Sequence, residues 1–282
     1  MKVWLRKLIA FLCWPFAALR NLVSPGVRIL MFHRVDRLPG YDQLTVSPER
    51  FRQQMQWLAR HYRVVPLSQA LDEISRGTIQ RRTVVITFDD GYYDNYQHAL
   101  PVLRELGLPA TVFVTTHFAS GEAQHARYPE AKRLHMDWNE VRQWLDAPGN
   151  EVGAHSRTHP YLSRLSAERC EQEIAGCMQD FARTGIPHNG IFCYPSGDVG
   201  TREADLVRRS GYVAAVTVAP GANRARADRY WLRRTEITDQ DDGTSFFLKL
   251  SGAFDAMHGV LHWRRRRQFA RAAQQTGEEG VA

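Results

Sequence analysis

Cysteine is scarce in this chain. Its 282 residues contain four, Cys13, Cys170, Cys177 and Cys193, and no two have CxxC spacing. A disulfide scaffold and a cysteine-rich zinc module are therefore excluded. Cys170 and Cys177 lie seven apart on an apparent helical face and read as core residues, so no oxidising compartment is implied. Long apolar runs are also missing: none reaches the roughly 20 residues that cross a bilayer as a helix. There are no internal repeats or low-complexity tracts, and no nucleic-acid recognition motif, so nucleic acid is not an expected partner. Acidic residues are the minority, 30 against 37 basic, for a formal net charge of +7. The excess sits at the ends, with Lys2, Arg6, Lys7 and Arg20 around an N-terminal apolar stretch and Arg264 to Arg267 in the tail. That placement suits an anionic membrane surface.

What is present is a chain with 44% hydrophobic residues, enough for one large core. Beyond residue 26, strand-like and helix-like stretches alternate. "VRILMFHRV" (27–35) reads as a strand. "SPERFRQQMQWLARHY" (47–62) reads as a helix, with Ser47 at its N-cap and Pro48 in its first turn. Repeated βα units of this kind predict a parallel sheet, and their number in one domain predicts a distorted (β/α) barrel. The division expected is an N-terminal apolar and basic segment over 1–26, the barrel over 27–250, and a helix end with a basic tail over 251–282. The polar stretch from His117 to Leu134 is the expected long loop.

In such a barrel, chemistry gathers at the carboxyl ends of the strands. "VVITFDDG" (84–91) is an apolar strand that ends in two carboxylates and a glycine. Neighbouring side chains on a strand face opposite ways, so the pair shares a site only where the strand breaks, and Gly91 is the expected break. Solvated turn acids fit these residues equally well. The other strand ends are polar too: His33 ends the first strand, "EVGAHSRTHP" carries His155 and His159, and "IFCYPSGD" runs through Tyr194, Pro195 and Ser196. Two imidazoles and a carboxylate are the donor set of a catalytic zinc-type site with an open position.

Taken in order, "TFDDG" (87–91), "HSRTH" (155–159) and "FCYPSG" (192–197) resemble three motifs of the polysaccharide deacetylases, the NodB-homology or carbohydrate esterase family 4 group. The resemblance spans roughly residues 27 to 250. It implies a single-domain NodB-type barrel that removes an acyl group, usually acetate, from an amino sugar with the help of a divalent metal: zinc, with cobalt, nickel or manganese as alternatives. By motif position Asp90, His155 and His159 would hold the metal and Asp89 would be the general base. Tyr194, Pro195 and Ser196 would contact substrate, with the Ser196 amide helping to hold the oxyanion. Two departures stand out. Many members have an arginine where Cys193 stands, paired with the catalytic aspartate, so Asp89 must be tuned from elsewhere. Many also end in a Leu-x-His motif whose histidine protonates the leaving amine, whereas Leu261-His262 lies beyond the expected barrel. His33 is the remaining candidate acid, with a structural or substrate-binding role as its alternative. Trp138 is a candidate to pack on the sugar or acetyl methyl, or else a core aromatic at a helix start.

The implied substrate is an amino-sugar glycan or its lipid-linked precursor. A deformylase or other amidase on a lipid-linked sugar is the first alternative, and a silent glycan-binding module the second. Leu8, Ile9, Phe11, Leu12, Trp14 and Phe16 form a short apolar segment that Pro15 interrupts and Arg20 closes. It reads as an uncleaved interfacial anchor that places the enzyme peripherally on the cytoplasmic side of the inner membrane, the alternative being a cleaved export signal.

Overall fold

A computed structural model describes residues 3–128 and 133–261. The Arg264 to Arg267 cluster and His262 therefore lie outside the described residues. The chain opens with α1 (Val3–Val23), β1 (Gly26–Phe32), β2 (Arg34–Val35), β3 (Thr45–Val46), α2 (Pro48–His61), β4 (Arg63–Val64) and α3 (Leu67–Arg76). It continues with β5 (Thr83–Phe88), α4 (Leu100–Leu106), β6 (Thr111–Val114), α5 (Thr116–Ala119), α6 (Trp138–Trp144), β7 (Glu151–Ala154) and α7 (Ala167–Thr184). The last third holds β8 (Ile191–Cys193), α8 (Thr201–Arg209), β9 (Ala214–Val216), β10 (Asn223–Arg224), β11 (Arg234–Glu236) and α9 (Gly243–Ser251).

The strands form one curled sheet in the order β10-β1-β5-β6-β7-β8-β9, with β4 added on β5 and β11 on β1. All its pairings are parallel except β1 with β10. The seam between β9 and β1 is spanned by one segment: Leu232 bridges to Val216, and two residues later Arg234 pairs with Ile29. The expected distorted barrel is thus the architecture found, a half-barrel with its gap tied by residues 232–236.

Strand alternation sorts the core into two layers. Val27, Ile29, Val85, Phe113, Ile191, Cys193, Ala214 and Val216 cluster together, and α3 adds Leu67, Ala70 and Ile74 to them. Leu30, Phe32, Ile86, Phe88, Val112, Val152 and Phe192 form the other cluster, with helix residues such as Phe51, Trp144 and Phe181. The strands are buried on both faces, which is why they read as continuous apolar runs. Cys170 and Cys177 are buried in that second layer, as their spacing suggested.

Gly153 in β7 is required by this packing. A Cβ there would stand 2.5 Å from the Phe113 ring, and the Arg234 guanidinium lies 5.7 Å from that ring's centroid. Gly153→Ala should therefore cost about 1–3 kcal/mol by overpacking, seen as a lowered thermal midpoint. An unchanged midpoint would mean that the ring has room to move.

Candidate active site

On β5 the interior face carries Val85, and the same alternation gives it Thr87 and Asp89. A regular strand would send Asp90 to the helix side. Instead Asp90 adopts φ +67°, followed by Gly91 at +64°, so the turn begins one residue earlier than glycine alone would place it. That is how adjacent carboxylates come to share one cavity. Ser156, His159 and Ser196 also have positive φ, at 61°, 60° and 55°. Left-handed backbone is unfavourable for such residues, and its clustering at one rim is typical of sites where geometry outranks local comfort.

Asp90 Oδ1 lies 3.2 Å from His155 Nε2 and 3.3 Å from His159 Nε2. His155 Nδ1 is bonded to the carbonyl of Cys193 at 2.8 Å. A carbonyl only accepts, so that nitrogen carries the proton, and in the neutral ring Nε2 offers a lone pair toward a carboxylate oxygen. Asp90 Oδ1 is buried with no hydrogen-bond partner among the described residues. Acceptors converging on a buried, unsatisfied oxygen are the arrangement a cation completes, so the residues present fit a divalent metal. Their ligand atoms lie within 4.8 Å of one another.

Protonation follows the same logic. Burial opposes the charge of Asp90, yet the two imidazoles hold its carboxyl well below the usual range. Burial also opposes a charged His155 ring, but Cys193 and Asp90 keep its pKa well above the ordinary value. His159 goes the other way, pushed down to about 4 by burial despite Asp90.

Asp89 is held differently. Arg234 donates to both of its oxygens, Nη1 to Oδ1 at 2.6 Å and Nη2 to Oδ2 at 2.7 Å. The other donors of the same guanidinium reach the Thr217 carbonyl at 2.9 Å, Thr87 Oγ1 at 3.3 Å and Cys193 Sγ at 3.1 Å. All five N–H groups are thereby used. Burial alone would raise Asp89, but the charge and hydrogen bonds of Arg234 outweigh it and keep the carboxyl below its usual value. The missing arginine of the third motif is thus replaced in space by one from β11, and the small Cys193 side chain leaves it room.

The other expected site residues divide. His33 lines the same cavity, with Nε2 3.9 Å from Asp89 Oδ2. Ser196 lines it as well, and the Gly197 and Asp198 amides close the turn onto the Tyr194 and Pro195 carbonyls at 2.8 and 3.0 Å. Three residues expected to contact substrate do not line the cavity. Tyr194 is a core residue: its ring packs on Phe192 and its hydroxyl donates to the Tyr230 carbonyl at 3.2 Å. Pro195 is buried within the turn that shapes the site. Trp138 starts α6, stacks edge-on against Phe181 and donates to Ser120 Oγ at 3.0 Å, and it does not line the cavity. It is partly buried and packs against the edge of the core.

Two further histidines were missed in sequence, His125 within the long polar stretch and His135 directly after it. His125 lines the cavity with its ring centroid 5.1 Å from that of His159. His135 meets the Asp90 carbonyl at 3.0 Å through Nδ1, and burial lowers its pKa to about 4. The cavity measures about 580 Å³ and is also lined by Tyr161, Glu236 and, from α1, Arg6 and Lys7.

The chain is similar to known proteins over much of its length. Residues 76–215 match the family model for polysaccharide deacetylase. The poly-beta-1,6-N-acetyl-D-glucosamine N-deacetylase of Staphylococcus aureus is 33% identical over 198 residues, covering 69% of this chain and 68% of that protein. The chain belongs to the polysaccharide deacetylase family. As a member of that family it is a hydrolase. Two solved structures share the fold of this deacetylase. Streptococcus pyogenes deacetylase PplD, in complex with acetate, has a TM-score of 0.71 and 20% identity over 80% of this chain and 99% of its own. IcaB from Ammonifex degensii has a TM-score of 0.66 and 22% identity over 80% and 97%.

Proposed function

We propose that the chain is a metal-dependent N-deacetylase acting on a β-linked polymer of N-acetylated amino sugar. The observation that carries this reading is the unsatisfied Asp90 Oδ1 facing two imidazole nitrogens, beside a second carboxylate that an arginine keeps ionised. The named substrate of the Staphylococcus aureus relative supplies the polymer class. Asp90, His155 and His159 would hold the ion. A divalent cation bound there supplies a Lewis acid that activates water and polarises the amide carbonyl.

The remaining work falls to the chain itself. Asp89, kept anionic by Arg234, accepts the proton of the attacking water as general base. The Ser196 amide is the candidate donor to the developing oxyanion. His33, within the cavity and close to Asp89, is the group best placed to return a proton to the leaving amine. The zinc assignment rests on the nitrogen and carboxylate donors, which also suit cobalt, nickel or manganese.

Incubation with defined oligomers of poly-β-1,6-N-acetylglucosamine, followed by assay of acetate and formate, tests the reaction. Acetate release is expected. Formate release from a formylated analogue, with none of acetate, would favour the deformylase alternative.

The two imidazoles differ in what their loss should do. His159→Ala is expected to lower metal occupancy with little change in stability, because that side chain is 14% exposed on a rim turn. His155 has only 2% of its side chain exposed, so His155→Ala should cost both metal and stability through the cavity it leaves. Metal analysis beside thermal melts checks both. Unchanged metal content in His159→Ala would remove it from the ligand set.

A further inference from the structure

Helix α1 is built into the molecule on one side and uncovered on the other. Its inward face is tied down by packing and polar contacts. Ala10 is buried in a cluster with Leu248, Ala253 and Phe254, and Trp14 packs against the same cluster. Lys7 Nζ donates to Asp242 Oδ2 at 2.6 Å, and Asn21 Nδ2 donates to the Ser251 carbonyl at 2.8 Å. Arg224 donates to Asn21 Oδ1 at 3.2 Å and Arg81 to the Leu22 carbonyl at 3.2 Å. A segment so bonded is a working part of the fold.

The outward face carries Leu8, Leu12, Phe16, Leu19 and Val23, spaced three and four apart, with exposures of 50%, 65%, 78%, 60% and 77%. Single exposed apolar side chains are ordinary, but a continuous stripe of five is not. Val260 and Leu261, 52% and 48% exposed, are apolar as well, in the helical stretch 255–261, and Val260 lines an apolar pocket with Ile9 and Ala10 of α1. No helix among the described residues is long and apolar enough to cross a membrane.

We propose that the exposed face of α1 is a docking surface for an anionic lipid bilayer. The helix lies flat with the stripe in the headgroup boundary, and the exposed Arg20, next to Leu19 of the stripe, together with the chain's net charge of +7 supplies the charge match. Because Arg6 and Lys7 of the same helix line the catalytic cavity, docking fixes that cavity beside the membrane. A glycan emerging at the bilayer, or one still attached to a lipid, is then met where it first appears.

Vesicle flotation of the full-length protein tests the proposal without reference to activity. Wild type should float with phosphatidylcholine vesicles containing phosphatidylglycerol, and much less with phosphatidylcholine alone. Leu12→Ser with Phe16→Ser should weaken binding by about tenfold or more, and Arg20→Gln by about fivefold. Both should leave the thermal midpoint and hydrolysis of soluble oligomers unchanged, since none of these residues lines the cavity. Failure of the wild type to float, or equal flotation of the double variant, would overturn the proposal. So would a double variant that changes a dimer into a monomer with neither form floating, which would assign the stripe to an interface between copies.

Discussion

Asp89→Asn should lower the rate of amide hydrolysis by about 10² to 10⁴, the usual contribution of a general base, while the protein still takes up metal. Asp90→Asn should lose metal and activity together, because the oxygen it alters is the one both imidazoles face. The two substitutions are chemically identical and adjacent, so any difference isolates position. The stability effect differs as well. Asp89→Asn leaves Arg234, whose side chain has no exposure, facing a neutral amide, so its thermal midpoint should fall even though its metal content does not. Equal loss of metal in the two variants would show that the roles have been divided wrongly.

Arg234→Met should be the most damaging change outside the ligand set. Breaking a buried ion pair by removing one partner costs about 3–5 kcal/mol, a large part of a typical domain's stability. The kinetic effect has a definite sign. Arg234 holds the Asp89 pKa below its ordinary value against burial. Without it burial dominates, the pKa rises, and the acid limb of kcat/KM moves to higher pH. Arg234→Lys keeps a charge without the two-pronged geometry and should give a smaller shift in the same direction. The linked stability is fully present above the unfolded aspartate value, about 3.9, and is lost as pH falls through the lower folded value. A pH–rate profile of the lysine variant that superimposes on wild type would contradict the assignment.

Much of the architecture was legible because strands buried on both faces write themselves as apolar runs, and polar residues at their ends mark the rim. His33, Asp89, Asp90, His155 and His159 were all found that way, and the structure brings them to one cavity. Arg234 was not, although a signal existed. "RYWLRRTEI" reads as a strand in a sheet with no wet face, and an arginine inside such a strand needs a buried acid. Its partner lies 145 positions earlier, and only the curling of the sheet shows which acid it is. Tyr194 and Trp138 lie off the cavity for the opposite reason. Aromatics beside a motif look like sugar platforms in one dimension, while the packing against Phe192 and Phe181 is a property of the assembled layers. His125 and His135 sit in irregular chain, where no periodicity assigns a direction to a side chain.

The most direct test of the account is a metal titration of stripped protein. Protein freed of metal by chelation should release no acetate from a poly-β-1,6-N-acetylglucosamine oligomer. Activity should rise with added zinc or cobalt and level off at a single equivalent per chain, and Asp90→Asn should show no such rise. Full acetate release by the stripped protein would contradict the metal reading of Asp90, His155 and His159.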